Sequence, residues 1–172
     1  MNLSRITLHI LLLGGMVLAV SLAGCVNADE RPSPQPTPDQ PANVIPDRLS
    51  LSASWPEDTD ANGYPDTTTV VVYVFDTRYS AAPISVPGTM TLRLIQKSGA
   101  VVREWSYTVE ETQKSVRRFA AGPGYQLLPS LLDHGTDRVD VQEVDVMAIF
   151  TPVGGSPVRS RGSATIRIGR LR

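Results

Sequence analysis

Four Asp or Asn side chains fall within nine residues, in the string Asp58-Thr59-Asp60-Ala61-Asn62-Gly63-Tyr64-Pro65-Asp66. Oxygens crowded in this way either serve a hard cation or fold back to accept bonds from their own backbone turns. The composition leaves both readings open. Acid–base and nucleophilic chemistry has less to work with. His134 is the only histidine after His9, so one chain lacking its leader cannot build a multi-histidine metal site. It stands beside Asp133 and near Asp137, and Ser130 or Ser163 could serve it as a nucleophile. No G-x-S-x-G, H-E-x-x-H, G-x-G-x-x-G or phosphate-loop string supports that arrangement, and a polar surface turn explains the same residues. Glu110 with Glu111, and Glu143 with Asp145, are pairs of the type that hydrolyses glycosides. As acids on exposed surfaces they need no such role, and the expectation is a domain without enzymatic activity.

The acidic string resembles the D-x-D-x-[DN]-G core of calcium loops such as those of EF-hands, dockerins and thrombospondin type 3 repeats. In those loops the side chains at positions 1, 3 and 5 converge on the ion, and glycine at position 6 allows the reversal. The resemblance implies calcium as the ion and Asp58, Asp60 and Asn62 as those ligands. The Tyr64 carbonyl follows as the next ligand, and Asp66 falls at position 9, where a ligand commonly acts through water. The string departs from the pattern at position 12, where Thr69 stands in place of a bidentate glutamate, and its flanks read as strands. Another oxygen, from Glu57 or Asp76, would have to complete such a site. The implied role is mechanical: a cation would neutralise mutually repelling carboxylates and fix how the first strand joins the fold.

A second specific string is Leu22-Ala23-Gly24-Cys25. It closes a leader with Arg5 near its start and an almost wholly apolar run of 13 residues, 10–22, short of the roughly 20 residues a spanning helix needs. It resembles the bacterial lipobox, which implies a signal peptide over 1–24, cleavage before Cys25, diacylglycerol on its sulfur and palmitate-type acylation of the new amino group. Each buried methylene of such chains is worth ~0.8 kcal/mol, so two or more chains anchor stably. The competing reading is a plain secretory signal cut near Ser21-Leu22-Ala23. Val26 follows the cysteine where lipoproteins retained at the inner membrane of enteric bacteria carry Asp, which leans toward an outer membrane if the host has one.

Composition fits an exported domain stabilised by its core alone. Cys25 is the only cysteine, so no intrachain disulfide forms. After removal of Arg5 with the leader, 15 basic residues face 17 acidic ones, which gives no electrostatic case for nucleic acid. Residues 25–48 form a proline-rich spacer, with Pro32, Pro34, Pro36, Pro38, Pro41 and Pro46. At ~3.1 Å per residue, 32–41 would span roughly 30 Å as polyproline.

Residues 49–172 read as one all-β domain, because apolar side chains recur with period two. Strands are expected at 49–55, 67–75, 89–96, 101–109, 125–128, 138–151 and 163–168, with the second buried on both faces. Segment 110–118 fits a short helix or a polar strand equally well, and Gly122-Pro123-Gly124 reads as a break. Short strands between Gly/Pro turns predict an antiparallel β-sandwich, immunoglobulin-like or transthyretin-like, with a small closed barrel as the alternative. The arginines of 159–172, ending at Arg170 and Arg172, read as a solvated edge that discourages sheet extension, or as contacts to phosphates of lipid A or a glycan. Trp55, Trp105, Tyr64, Tyr79, Tyr107 and Tyr125 could line a sugar groove, although the chain has only ten aromatic residues to build its core. The functional expectation is an envelope lipoprotein held to membrane lipid through acylated Cys25. Its sandwich would be a structural or protein-interaction module, with a carbohydrate-binding module as the alternative and a hydrolase using His134 as a remote one.

Overall fold

Period-two alternation builds two antiparallel sheets that bury one face each. The computed structural model describes residues 39–170. The expectations for the leader, for Leu22-Ala23-Gly24-Cys25, for Val26, for the spacer up to residue 38 and for Arg172 lie outside the described residues. In chain order the elements are β1 (Arg48–Ala53), β2 (Val70–Asp76), β3 (Tyr79–Ile84), β4 (Gly88–Gln96), β5 (Val101–Tyr107), α1 (Val109–Lys114), β6 (Val116–Phe119), β7 (Gly122–Leu127), a 3-10 turn (Leu131–His134), β8 (Gln142–Pro152), β9 (Val158–Arg159) and β10 (Ala164–Ile168). Among the described residues no helix is long and apolar enough to cross a membrane.

One sheet has the order β1-β2-β7-β6, with β3 taking the part of the β2 edge that β7 leaves open. The other has the order β10-β8-β4-β5, and β9 likewise continues along β8 beyond β10. Among the described residues the sheets are joined at one side by a single parallel bridge, Leu49 to Ser160, and the two packed sheets form a sandwich, not a closed barrel. Val70, Val72 and Val74 of β2, with Ile84, Tyr125 and Leu127, face Met90, Leu92, Leu94, Val144, Val146, Ala148, Phe150, Ile166 and Ile168, all buried. Full burial of each large aliphatic chain is worth about 1.5–3 kcal/mol. Tyr125 keeps its hydroxyl satisfied inside this core by accepting from the Val86 N–H at 3.0 Å and donating to the Val86 carbonyl at 2.8 Å. Gly88 is required where β4 passes Phe150, since a Cβ there would lie 2.5 Å from the ring.

The last residues of the expected spacer, 39–48, belong to the folded body. Gln40 exchanges two hydrogen bonds with the Ser85 backbone, Asp47 N–H donates to the Phe75 carbonyl, and Arg48 opens β1. This segment is clamped by Asp76, which is 2% exposed and accepts from Ile45 N–H at 2.8 Å and from the Arg78 guanidinium at 2.7 and 3.0 Å. Hydrogen bonds from the Arg78 side chain and Ile45 N–H outweigh its burial and hold its carboxyl far below the usual range.

Several local expectations change. β2 is central, but only one of its faces is buried, because Val71, Tyr73 and Phe75 lie half-covered on the outside of the sandwich. β1 ends at Ala53 and leaves Trp55 outside, and β5 ends at Tyr107. Segment 110–118 divides into α1 and β6; a capping box between Thr108 and Glu111 starts the helix. Gly122-Pro123-Gly124 does not break the chain but opens β7. The ladder to β2 covers only Tyr125, Gln126 and Leu127, so Pro123 sits where no donor to that neighbour is needed. β8 starts at Gln142, four residues later than expected, and carries Val144, Val146, Ala148 and Phe150 inward as its alternation predicts. β3 and β9 have no counterpart in the expectation.

Candidate metal centre

The acidic loop leaves β1 and returns to β2 over a closed base. Glu57 and Thr67 form an antiparallel bridge, with Glu57 N–H donating to the Thr67 carbonyl at 2.7 Å and Asp66 N–H to the Glu57 carbonyl at 2.8 Å. Leu131 N–H then donates to the Asp66 carbonyl at 2.7 Å, which ties the base to the 3-10 turn. Inside the loop Ala61 has φ +58° and Gly63 +86°. The second suits glycine; the first is uncommon for a residue with a Cβ and is held by the bonds around it.

These turns bring three of the predicted side chains together. One carboxylate oxygen from each of Asp58, Asp60 and Asp66 lies within 4.8 Å of the others, and this triad could hold a metal ion. Asp58 accepts from Asn62 N–H at 3.1 Å and Gly63 N–H at 2.7 Å. Asp66, 2% exposed, accepts from Thr59 N–H at 2.8 Å, from the Thr59 hydroxyl at 2.7 Å and from the Thr67 hydroxyl. Burial raises its pKa, but the hydroxyls of Thr67 and Thr59 and the N–H groups of Thr59 and Asp60 outweigh that and lower it. Asp60 moves the other way. Desolvation, the contact with Asp58 and repulsion from Asp137 and Asp58 raise its pKa against the lowering pull of Asn62 N–H.

Asn62 spans the acids, its amide donating to Asp60 at 3.0 Å and to Asp137 at 2.7 Å, while its carbonyl accepts from Tyr64 N–H at 2.8 Å. Asp137, 3% exposed, is a fourth acid at the loop. In sequence it stood out only as a neighbour of His134, since a contact across 75 residues leaves no local signal. The Tyr64 ring lies beneath two guanidiniums, Arg138 at 6.0 Å and Arg170 at 5.9 Å. Glu57 contributes its backbone to the base of the loop, and Asp76 belongs to the clamp at the opposite end of β1.

The other candidate residues stand apart. The His134 ring packs edge-on against Trp105 at 5.2 Å. Ser130 caps the 3-10 turn, its hydroxyl accepting from Leu132 N–H, while Asp133 accepts from Ser130 N–H. Ser163 immediately precedes β10 and is not part of that turn. Glu110 pairs with Lys114 at 2.7 Å, and Glu111 closes the capping box. Glu143 binds Lys97 at 2.7 Å, and Asp145 accepts from the Thr165 hydroxyl at 2.7 Å. Of the aromatic candidates Trp105 and Tyr125 are buried, Tyr64, Tyr79 and Tyr107 half-buried, and Trp55 is 76% exposed. Compared with known protein families, with curated proteins and with solved structures, the chain matches none.

Proposed function

We propose that this is a lipid-anchored envelope protein whose β-sandwich acts as a non-catalytic protein-interaction module, with calcium stiffening the acidic loop at its far end. The observation that carries the reading is the polarity of the sandwich. Residues 39–47, which lead back toward Cys25, are clamped by Asp76 at one end. β1 then runs six residues, about 20 Å at 3.3 Å each, to the opposite end, which carries Trp55 and the acidic loop. A tether at one pole leaves the other free to meet a partner. Oxygen-only donors suit a hard cation, and a cation would relieve the repulsion from Asp137 and Asp58 that adds to desolvation in raising the Asp60 pKa.

The test is incorporation of an alkyne-tagged fatty acid in bacterial cells, followed by detergent phase partition. Label and detergent-phase recovery are expected for the parent chain and lost in Cys25→Ser. Recovery of the unlabelled parent in the aqueous phase overturns the anchor. Calcium is tested separately, by melting the parent with calcium and with chelator; superimposed curves remove the ion from the reading.

A further inference from the structure

We propose that the pole where the chain enters the sandwich seats on the bilayer, with Ile45 and Val153 reaching into the lipid interface. The proposal rests on the lipid-anchor reading and specifies which face of the body the anchor brings to the membrane.

Ile45 is 60% exposed and Val153 68% exposed, and both line one groove of about 880 Å³. The stretches that form it, 41–46, 85–87 and 152–158, contain no charged residue. Asp47 and Arg159, one of each sign, close its margins. Exposed loops are ordinarily polar, and water satisfies their backbone. Here much of that need is met internally. Ile45 N–H donates to Asp76 at 2.8 Å, Val153 N–H to the Pro87 carbonyl at 3.0 Å and Gly155 N–H to the Pro152 carbonyl at 3.0 Å. Pro46, Pro87, Pro152 and Pro157 have no N–H to satisfy. The pole therefore presents apolar carbon over a backbone with few free donors, which suits a lipid interface and gives an extended peptide little to pair with.

The tether selects the occupant. Gln40 bonds the Ser85 backbone, next to Val86 of the groove, so the chain running back to Cys25 leaves the body at this same pole. Only the 13 residues 26–38 lie between that cysteine and the described body, and a chain of this length reaches about 45 Å when fully extended. A surface kept so near is met at high effective concentration. Two aliphatic side chains that would not hold a free protein to a membrane can therefore seat a tethered one. The opposite pole is the wrong end for this contact. Trp55 is more exposed, at 76%, but it shares that end with Glu57, Asp58 and Asp60, which anionic lipid repels.

The test uses the acylated full chain, purified from cells and reconstituted into vesicles of phosphatidylcholine and phosphatidylglycerol. Cys25 is the only cysteine, and with its sulfur in the anchor Val153→Cys takes an environment-sensitive dye alone. Ser98→Cys, in the exposed turn after β4 at the opposite pole, carries the same dye as control. Nitroxide-bearing lipid should quench the dye at 153 about threefold more than at 98, and Ile45→Asp should remove about half of that difference. Positions 153 and 98 are both exposed, so their comparison does not depend on the folding of Ile45→Asp. Equal quenching at the two positions, or quenching indifferent to Ile45→Asp, overturns the seat while fatty-acid labelling upholds the anchor. Absence of the fatty-acid label removes anchor and seat together.

Discussion

Replacing Asp66 by alanine removes the latch of the acidic loop while leaving Asp58 and Asp60 in place. The carboxylate is 2% exposed and accepts three bonds from Thr59 and Thr67. Hydrogen bonds to a charged group contribute about 1.5–3 kcal/mol each, reduced by the cost of keeping the carboxylate out of water, and alanine also strands the buried donors. A net loss of about 3 kcal/mol follows, which for a domain of this size lowers Tm by about 12 °C. Asp66→Asn keeps an oxygen for Thr59 N–H, and both threonine hydroxyls can rotate to accept from the new amide. It should lose about 1 kcal/mol and about 4 °C.

The pH dependence of this latch has a defined sign. Although burial raises the Asp66 pKa, hydrogen bonds bring it below the ordinary 3.8. Its contribution is therefore complete above the unfolded value and is lost as pH falls through the folded one. Far-UV circular dichroism melts of the full chain at neutral pH and at steps below pH ~4 should show the gap between parent and Asp66→Asn closing with acid. An alanine variant melting within about 3 °C of the parent, or indistinguishable from the asparagine variant, would refute the latch.

In calcium titrations Asp60→Asn should raise Tm in chelator, by relieving repulsion with Asp58 and Asp137, and remove the calcium-dependent rise; a larger calcium response than the parent's counts against the site. Gly88→Ala forces a Cβ to within 2.5 Å of Phe150 and 2.6 Å of the Thr151 carbonyl, and denaturant unfolding should show a loss of about 1–3 kcal/mol. Asp76→Ala releases Ile45 and Arg78 together, so limited proteolysis should cut within 39–47 faster than in the parent while the sandwich persists. Because hydrogen bonds hold the Asp76 carboxyl far below its ordinary value, the parent's resistance should be present above the unfolded pKa and survive acidification to pH ~4.

What sequence could convey about the fold depended on how far each element's partners were local. β8 and β4 were legible because their inward residues, Val144 to Phe150 and Met90 to Leu94, alternate against polar neighbours over many residues. β3 was not, because Pro83 and the paired alanines of YSAAPI carry little strand propensity; its place comes from the β2 edge that β7 leaves open. The second strand read as doubly buried from its run of valines. That run expresses β propensity on an outer face, where Tyr73 packs edge-on against Phe119 at 5.8 Å. Gly122-Pro123-Gly124 read as a break because glycine and proline usually punctuate. Here glycine at 124 leaves room for the Tyr73 ring, to which a Cβ would come within 2.9 Å.

The acidic site shows the same division between local and distant causes. The spacing of Asp58, Asp60 and Asp66 was visible because one short loop holds all three, and Gly63 marked the reversal that gathers them. Asp137 was not, since only the packed chain brings a residue from beyond the 3-10 turn onto Asn62. The exposure of Trp55 was hidden for a related reason: period two assigns an inward direction, but it cannot say whether the opposing sheet extends far enough to meet it. A tryptophan on the inward parity without a sheet beneath it leaves apolar surface in water beside an unpaired strand edge.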